Sequence, residues 1–121
     1  SKDQSVLFLA THFDHRRPDA ERHASAKFIN QMIGSRDKMP AILAGDLNDV
    51  PDSPTLKEVS KLWVRTNKEI TPTVPVVKPL RQIDYILLRP KNRWKVVETK
   101  VLDEAVASDH RAIFAVIELV D

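Results

Sequence analysis

Two short apolar runs separated by a helical stretch set the tightest limit on what this chain can become. Val6–Phe13 (VLFLATHF) reads as a buried strand that turns polar at its end. Ala41–Ala44 (AILA) reads as a second strand, and it runs directly into Gly45-Asp46-Leu47-Asn48. Between them Pro18-Asp19 marks a helix start and Gly34 a stop. Ala20, Ala24, Phe28 and Met32 recur at every fourth position with Ile29 and Ile33 beside them, an amphipathic helix of about four turns. Strand, helix, strand in that order implies a parallel pair with a crossover, because parallel neighbours need a long connection. The expected class is α/β.

The remaining chain adds a second helix and more strands. Pro51-Asp52-Ser53-Pro54 is a turn that supplies Ser53 as N-cap and Pro54 at the first helical position. A short helix from Thr55 to Trp63 should turn Leu56, Val59 and Leu62 or Trp63 inward. Pro72, Pro75 and Pro79 make the next stretch an extended loop. Gln82–Leu88, Trp94–Leu102 and Ala112–Val120 read as strands, and the short loops between them suggest antiparallel neighbours. A mixed sheet follows. With 121 residues the chain makes one small domain.

Composition removes several chemistries. The absence of Cys excludes disulfides, thiolate metal sites and cysteine nucleophiles. Only 2 Gly residues leave no Gly-rich loop to cradle phosphates, and no Gly-x-Ser-x-Gly elbow is present. No apolar run approaches the roughly 20 residues that span a bilayer. A formal charge of +2, with Lys and Arg spread along the chain, gives no electrostatic signature of nucleic-acid binding. The chain opens on polar Ser1-Lys2-Asp3-Gln4 and not on a signal peptide, and its localisation is left open.

The chemically useful residues fall at strand ends, where α/β sheets form their ligand crevices. Thr11-His12-Phe13-Asp14-His15 closes the first strand, and Asp46 and Asn48 close the second. Asp84 is read inside the third strand, between Ile83 and Tyr85, where a carboxylate needs a partner to offset desolvation. Ser108-Asp109-His110 opens the last. Each has a plain structural reading alone: Gly-Asp-x-Asn is good turn chemistry, and Ser-Asp-His can simply cap or turn.

Together and in this order, the four motifs resemble the endonuclease/exonuclease/phosphatase superfamily. The match covers nearly the whole chain, and Gly45–Pro54 (GDLNDVPDSP) looks like bacterial members with the Thr-His-Phe-Asp-His signature. Three positions depart from the family pattern: Ala10 before Thr-His, Gln82 before Ile-Asp-Tyr, and Arg111-Ala112 after the last motif. The resemblance implies a half of a DNase I-like four-layer α/β sandwich, a mixed sheet with helices on one face. Members also place a metal-binding Glu and an Asn in an amino-terminal half. Residues 1–121 are therefore expected to be the carboxy-terminal half of the domain, with part of the active site outside it.

The same resemblance implies roles. Asp46 would orient and deprotonate the attacking water, and Asn48 would hold a phosphate oxygen or the metal. His110 would contact the phosphate or act as a base, with Asp84 accepting its other ring N–H. His12 would donate to the phosphate, and Asp109 would help bind metal or orient neighbours. Asp14 and His15 read as structural. The metal set is Asp46, Asn48 and Asp109, and hard oxygen donors call for Mg²⁺ or Mn²⁺.

The expected reaction is hydrolysis of a phosphodiester or phosphomonoester by activated water. The alternative is a non-catalytic module that binds a phosphate ligand or a protein. The expected partners are a phosphate ester, with nucleic acid one candidate, and the amino-terminal half of the same domain. These residues alone are expected to be inactive and, with an apolar sheet face uncovered, to form a homo-oligomer.

Overall fold

The first strand and the first helix form where the sequence patterns place them, and everything else is hung on that pair. The computed structural model describes residues 4–36, 38–104 and 106–121. Strand β1 (Leu7–His12) is followed by helix α1 (Ala20–Gly34), strand β2 (Ala41–Asp46) and helix α2 (Pro54–Val59). Then come β3 (Val64–Arg65), β4 (Asp84–Arg89), a 3₁₀ turn at Lys91–Arg93, β5 (Trp94–Val101) and β6 (Ile113–Leu119). β1 and β2 are parallel, as the intervening helix requires. β4 lies antiparallel to both β2 and β3, giving a four-stranded mixed sheet in the order β1-β2-β4-β3.

The expectation of antiparallel neighbours holds for β5 and β6 but is corrected for β4 and β5. β4 pairs with β2 and β3, while β5 and β6 pair with each other in a separate two-stranded sheet. Pro90 has no N–H to continue the ladder, so the chain leaves β4 there and turns through the 3₁₀ segment. β3 was not anticipated, since two residues carry no periodic pattern.

The helices cover one face of the four-stranded sheet. Leu43, Tyr85 and Leu87 meet Ala26, Ile29 and Ile33 of α1, Leu56 and Val59 of α2, and Trp63 in one buried cluster. The inward stripe of α1 is not the expected one. It runs Arg22, Ala26, Ile29, Asn30, Ile33, while Ala20 and Ala24 are exposed and Phe28 is 66% exposed. Ile29 and Ile33 set the stripe, and Phe28 sits about 100° round the helix from Ile29. Asn30 is buried because it accepts from Trp63 Nε1 at 3.1 Å and donates to Glu58 O at 2.6 Å.

α2 is shorter than expected and ends at Val59, although Trp63 beyond it is fully buried. Ser53 caps it, accepting from Leu56 N at 3.2 Å, with Pro54 at the first position. The other face of the sheet is partly open. Phe8 on the edge strand β1 is 63% exposed, and Ile42, Ala44 and Ile86 are half-buried. β1 therefore alternates between faces and is not buried on both sides as its composition suggested. Among the described residues, no helix is long and apolar enough to cross a membrane.

Candidate active site

Strand register builds the centre of the site. His12 of β1 lies opposite Asp46 of β2, which lies opposite Asp84 of β4. Neighbours across a sheet share a face, so three polar residues form one row at the ends of three strands. The row depends on Gly45. That residue has φ +144°, and a Cβ there would sit 1.9 Å from Thr11 O, so only glycine lets β1 approach β2. Asp84 is the first residue of its strand, not an interior one as read from the sequence. His110 arrives from the segment before β6 and closes the group.

The distances define what each group faces. His110 Nδ1 and Asp84 Oδ2 are 2.8 Å apart, the side-by-side pairing the motifs implied. The opposite ring nitrogen, Nε2, lies 3.8 Å from Asp46 Oδ2, and His12 Nε2 lies 3.4 Å from the same oxygen. Asp46 Oδ1 is engaged separately, accepting from Asn48 N at 2.8 Å. Asp46 Oδ2 thus faces two imidazoles across gaps too long for strong hydrogen bonds. Asn48 adopts the left-handed region with φ 50°, which Asn tolerates better than most residues. Its side-chain amide donates to Phe13 O at 2.8 Å, so it ties the end of β1 to the loop after β2. A cleft of about 310 Å³ beside this group is lined by Gly45, Asp84, Ser108 and His110.

Burial and charge set the protonation of two members. Burial raises the Asp46 carboxyl, and the Asp84 charge adds to this against the Asn48 hydrogen bond and the two histidines. For His110, burial opposes the charged form most strongly. The hydrogen bond to Asp84 and the charges of Asp84, Asp46 and Asp109 together outweigh it, so His110 is raised and holds its proton more readily.

The donor set suits a hard divalent cation. Asp46, Asp84 and His110 each offer a ligand atom within 4.8 Å of the others. Asp46 Oδ2 is free of the Asn48 bond, and carboxylate oxygen is the donor that Mg²⁺ and Mn²⁺ prefer. Asp109 stands apart from this cluster: it is exposed, and Oδ1 accepts from Ser108 Oγ at 3.4 Å. Asp14 is held by Arg16, whose hydrogen bond lowers its carboxyl, and His15 is exposed.

Four residues support the site in ways the sequence did not reveal, and of these Arg22 carried no sequence signal that was read. Arg22, on the inward stripe of α1, pairs with Asp49 at 3.1 Å. Tyr85, fully buried, has its hydroxyl 2.8 Å from Asp49 O, and burial raises its pKa. Gln82, where the family often has Arg or His, is buried and accepts from Asn67 Nδ2 at 2.9 Å and Thr71 N at 3.0 Å. Arg111 donates from its backbone to Thr73 O at 2.9 Å and from Nε to Val76 O at 2.8 Å, anchoring the proline-rich loop beside His110. The spacing 22, 26, 29, 33 would have found Arg22, because it shares the stripe of Ile29 and Ile33.

Comparison with known proteins gives a consistent frame. Residues 3–110 match the endonuclease/exonuclease/phosphatase family. No curated protein matches the chain. Among solved structures, a mannosyl-6-phosphatase from Bacteroides thetaiotaomicron VPI-5482 superposes with a TM-score of 0.78 at 20% identity. It covers 93% of this chain and 51% of its own. An endonuclease/exonuclease/phosphatase from Bacteroides vulgatus gives 0.76 at 25% identity, covering 93% and 49% respectively. TDP2 of D. rerio, humanized by 14 mutations, gives 0.72 at 18% identity, covering 97% and 57%. The chain spans about half the length of these bacterial relatives.

Proposed function

The chain belongs to the endonuclease/exonuclease/phosphatase family, and from that premise we propose that it supplies the water-activating half of a divalent-metal phosphohydrolase. One observation carries the reading most: the His110–Asp84 pair at 2.8 Å, with Asp84 in a row with Asp46 and His12 across three strands. A half-buried carboxylate that orients an imidazole toward a second carboxylate is an arrangement suited to moving protons at a phosphate.

In this reading a water oxygen attacks phosphorus and the bond to the leaving oxygen breaks. Asp46 orients that water and takes its proton at Oδ2; its burial-raised carboxyl makes it a better base. Asp84 holds the Nδ1 proton of His110, which leaves Nε2 to donate to a phosphate oxygen when the ring is protonated. His12, 72% exposed, is free to turn toward the same phosphate. Asn48 would contact a phosphate oxygen or join Asp46 in holding a cation, and Asp109, apart from that cluster, would orient its neighbours. A bound Mg²⁺ or Mn²⁺ would offset the negative charge that develops on the phosphate oxygens. The cation's remaining ligands and the rest of the substrate contacts come from a further part of the domain. The substrate is a phosphodiester or phosphomonoester, nucleic acid among the candidates.

The test is phosphate release or diester cleavage by the full-length protein, with and without Mg²⁺ or Mn²⁺, over a panel of esters. Asp46→Asn should lower turnover by about 10²–10⁴-fold, the range for a lost general base. Wild-type rates in that variant would sink the assignment. Residues 1–121 alone should show negligible activity. Robust metal-dependent cleavage by them would refute the need for a second half, and a full-length protein inactive on every ester would favour the binding-module alternative.

A further inference from the structure

The two loops that carry the site are joined by one buried side chain outside it. Arg22 lies in the first turns of α1, and its side chain is only 7% exposed. Its Nε donates to Asp49 Oδ2 at 3.1 Å, directly beyond Asn48. Its Nη1 donates to Asp14 O at 3.3 Å and to Arg16 O, and Nη2 lies 3.5 Å from Arg17 O. One guanidinium thus grips the backbone of the loop after β1 and the side chain that follows Asn48 in the loop after β2. Tyr85 holds the same Asp49 through its carbonyl.

Only an arginine matches this set of acceptors. Its planar fork carries five donors in fixed directions, whereas a lysine ammonium is one compact charge on a flexible stem. Asp49 is itself largely covered, its side chain 14% exposed, so loss of Arg22 would leave a shielded carboxylate without its ion partner. The staple runs parallel to a second link, from Asn48 Nδ2 to Phe13 O. His12 and Asp46, 3.4 Å apart, are paired at the strand ends just before Phe13 and Asn48, on the strand side of that second link.

We propose that Arg22 is a positioning residue for the hydrolytic reaction: through Asp49 and the 14–17 carbonyls it fixes Asn48 and His12 relative to Asp46. This rests on the phosphohydrolase reading for its kinetic arm but not for its structural one. A residue serving stability alone would lower the melting temperature without moving the site. Asn30 is the matched control, a buried polar residue of the same helix whose bonds go to Trp63 and Glu58, away from the site.

The experiment compares the full-length protein with Arg22→Lys, Arg22→Met, Asp49→Asn and Asn30→Ala. Each is followed by kcat, KM, melting temperature and the NMR signals of the Asn48 amide and His12 ring. Both Arg22 variants should lose about 10- to 100-fold in kcat with KM little changed, as for other groups that orient catalytic residues. The Asn48 and His12 signals should shift in both, and Lys should not restore them. Asn30→Ala should lower the melting temperature while leaving kcat and those signals in place. A folded Arg22→Met protein with wild-type kcat, or full rescue by Lys, overturns the proposal. If Arg22→Met does not fold, Asp49→Asn decides: reduced kcat with shifted Asn48 signals supports the staple, and unchanged values overturn it. Should the wild-type protein hydrolyse no ester, the phosphohydrolase reading fails, and the Asn48 and His12 signals alone decide the staple.

Discussion

Among the described residues, every buried side chain precedes Pro90, whereas β5 and β6 hold none. The four-stranded sheet is packed by α1 and α2 on one face, with Leu43, Tyr85 and Leu87 at zero exposure. β5 and β6 are joined to each other by a long ladder but leave Val96, Val97, Phe114 and Val116 open to solvent. The site straddles this divide. His12, Asp46, Asn48 and Asp84 stand on the packed part, while Asp109 and His110 come from the segment leading into β6. His12, Asp46 and Asp84 are therefore set by strand register, and Asn48 by its bond to Phe13 O. His110 is positioned by hydrogen bonds: its own to Asp84, and those of Arg111 to the 73–77 loop.

Paired core substitutions give the comparison its largest test. Leu87→Ala removes a fully buried side chain and should cost about 2–5 kcal/mol of unfolding free energy in urea. Val97→Ala, at a side chain 51% exposed, should stay within about 0.5 kcal/mol. Equal losses in the full-length protein would mean that the β5–β6 face is covered there and that the two regions are packed alike.

A second test acts on the tether of His110. Arg111→Met removes the Nε bond to Val76 O and the ion pair with Asp103 at 3.1 Å. The expected cost is about 1–2 kcal/mol, with much of it local. Amides of Val74, Leu80 and Arg81, which close the proline-rich loop, should exchange faster, while those of Leu43 and Leu87 keep their protection. Unchanged exchange in the loop would show that its own hairpin bonds suffice and that His110 has another anchor.

The same divide separates what could be read in the sequence from what could not. β1, α1 and β2 were legible because an apolar run, a helical spacing and a second apolar run allow little else. The row His12–Asp46–Asp84 was legible as an order of motifs at strand ends, though only strand register makes it a row. The inward face of α1 was misread because Ala20, Ala24 and Phe28 form an apolar stripe of their own that meets solvent. Arg22 was passed over because a charged residue is usually assigned to a solvated face, and nothing local announces a buried acceptor set. The separate β5–β6 sheet was missed because short connections restrict which strands can pair without naming which do. Pro90 was the available sign that β4 stops there.

The smallest expected effect is the titration of His110, which reads the junction between the two regions directly. In metal-free buffer its ring should titrate above the roughly 6.5 of an ordinary histidine, followed by NMR of the Cε1 proton. Burial alone would push it the other way, so the shift measures how firmly Asp84 and its neighbours hold the imidazolium. The sign for stability follows from linkage: the folded state binds this proton more tightly than the unfolded chain. The contribution is therefore fully present below the unfolded value near pH 6.5 and is lost as pH rises through the raised folded value. Asp84→Asn removes the charge and weakens the hydrogen bond while burial remains, so His110 should fall below its wild-type value and this loss of stability with rising pH should shrink. A His110 that titrates identically in the two proteins would show that the 2.8 Å pair does not persist in solution. The segment before β6 would then be held by the bonds of Arg111 and by that of Leu102 N to Ala112 O, and the packed sheet would present Asp46 without an oriented imidazole.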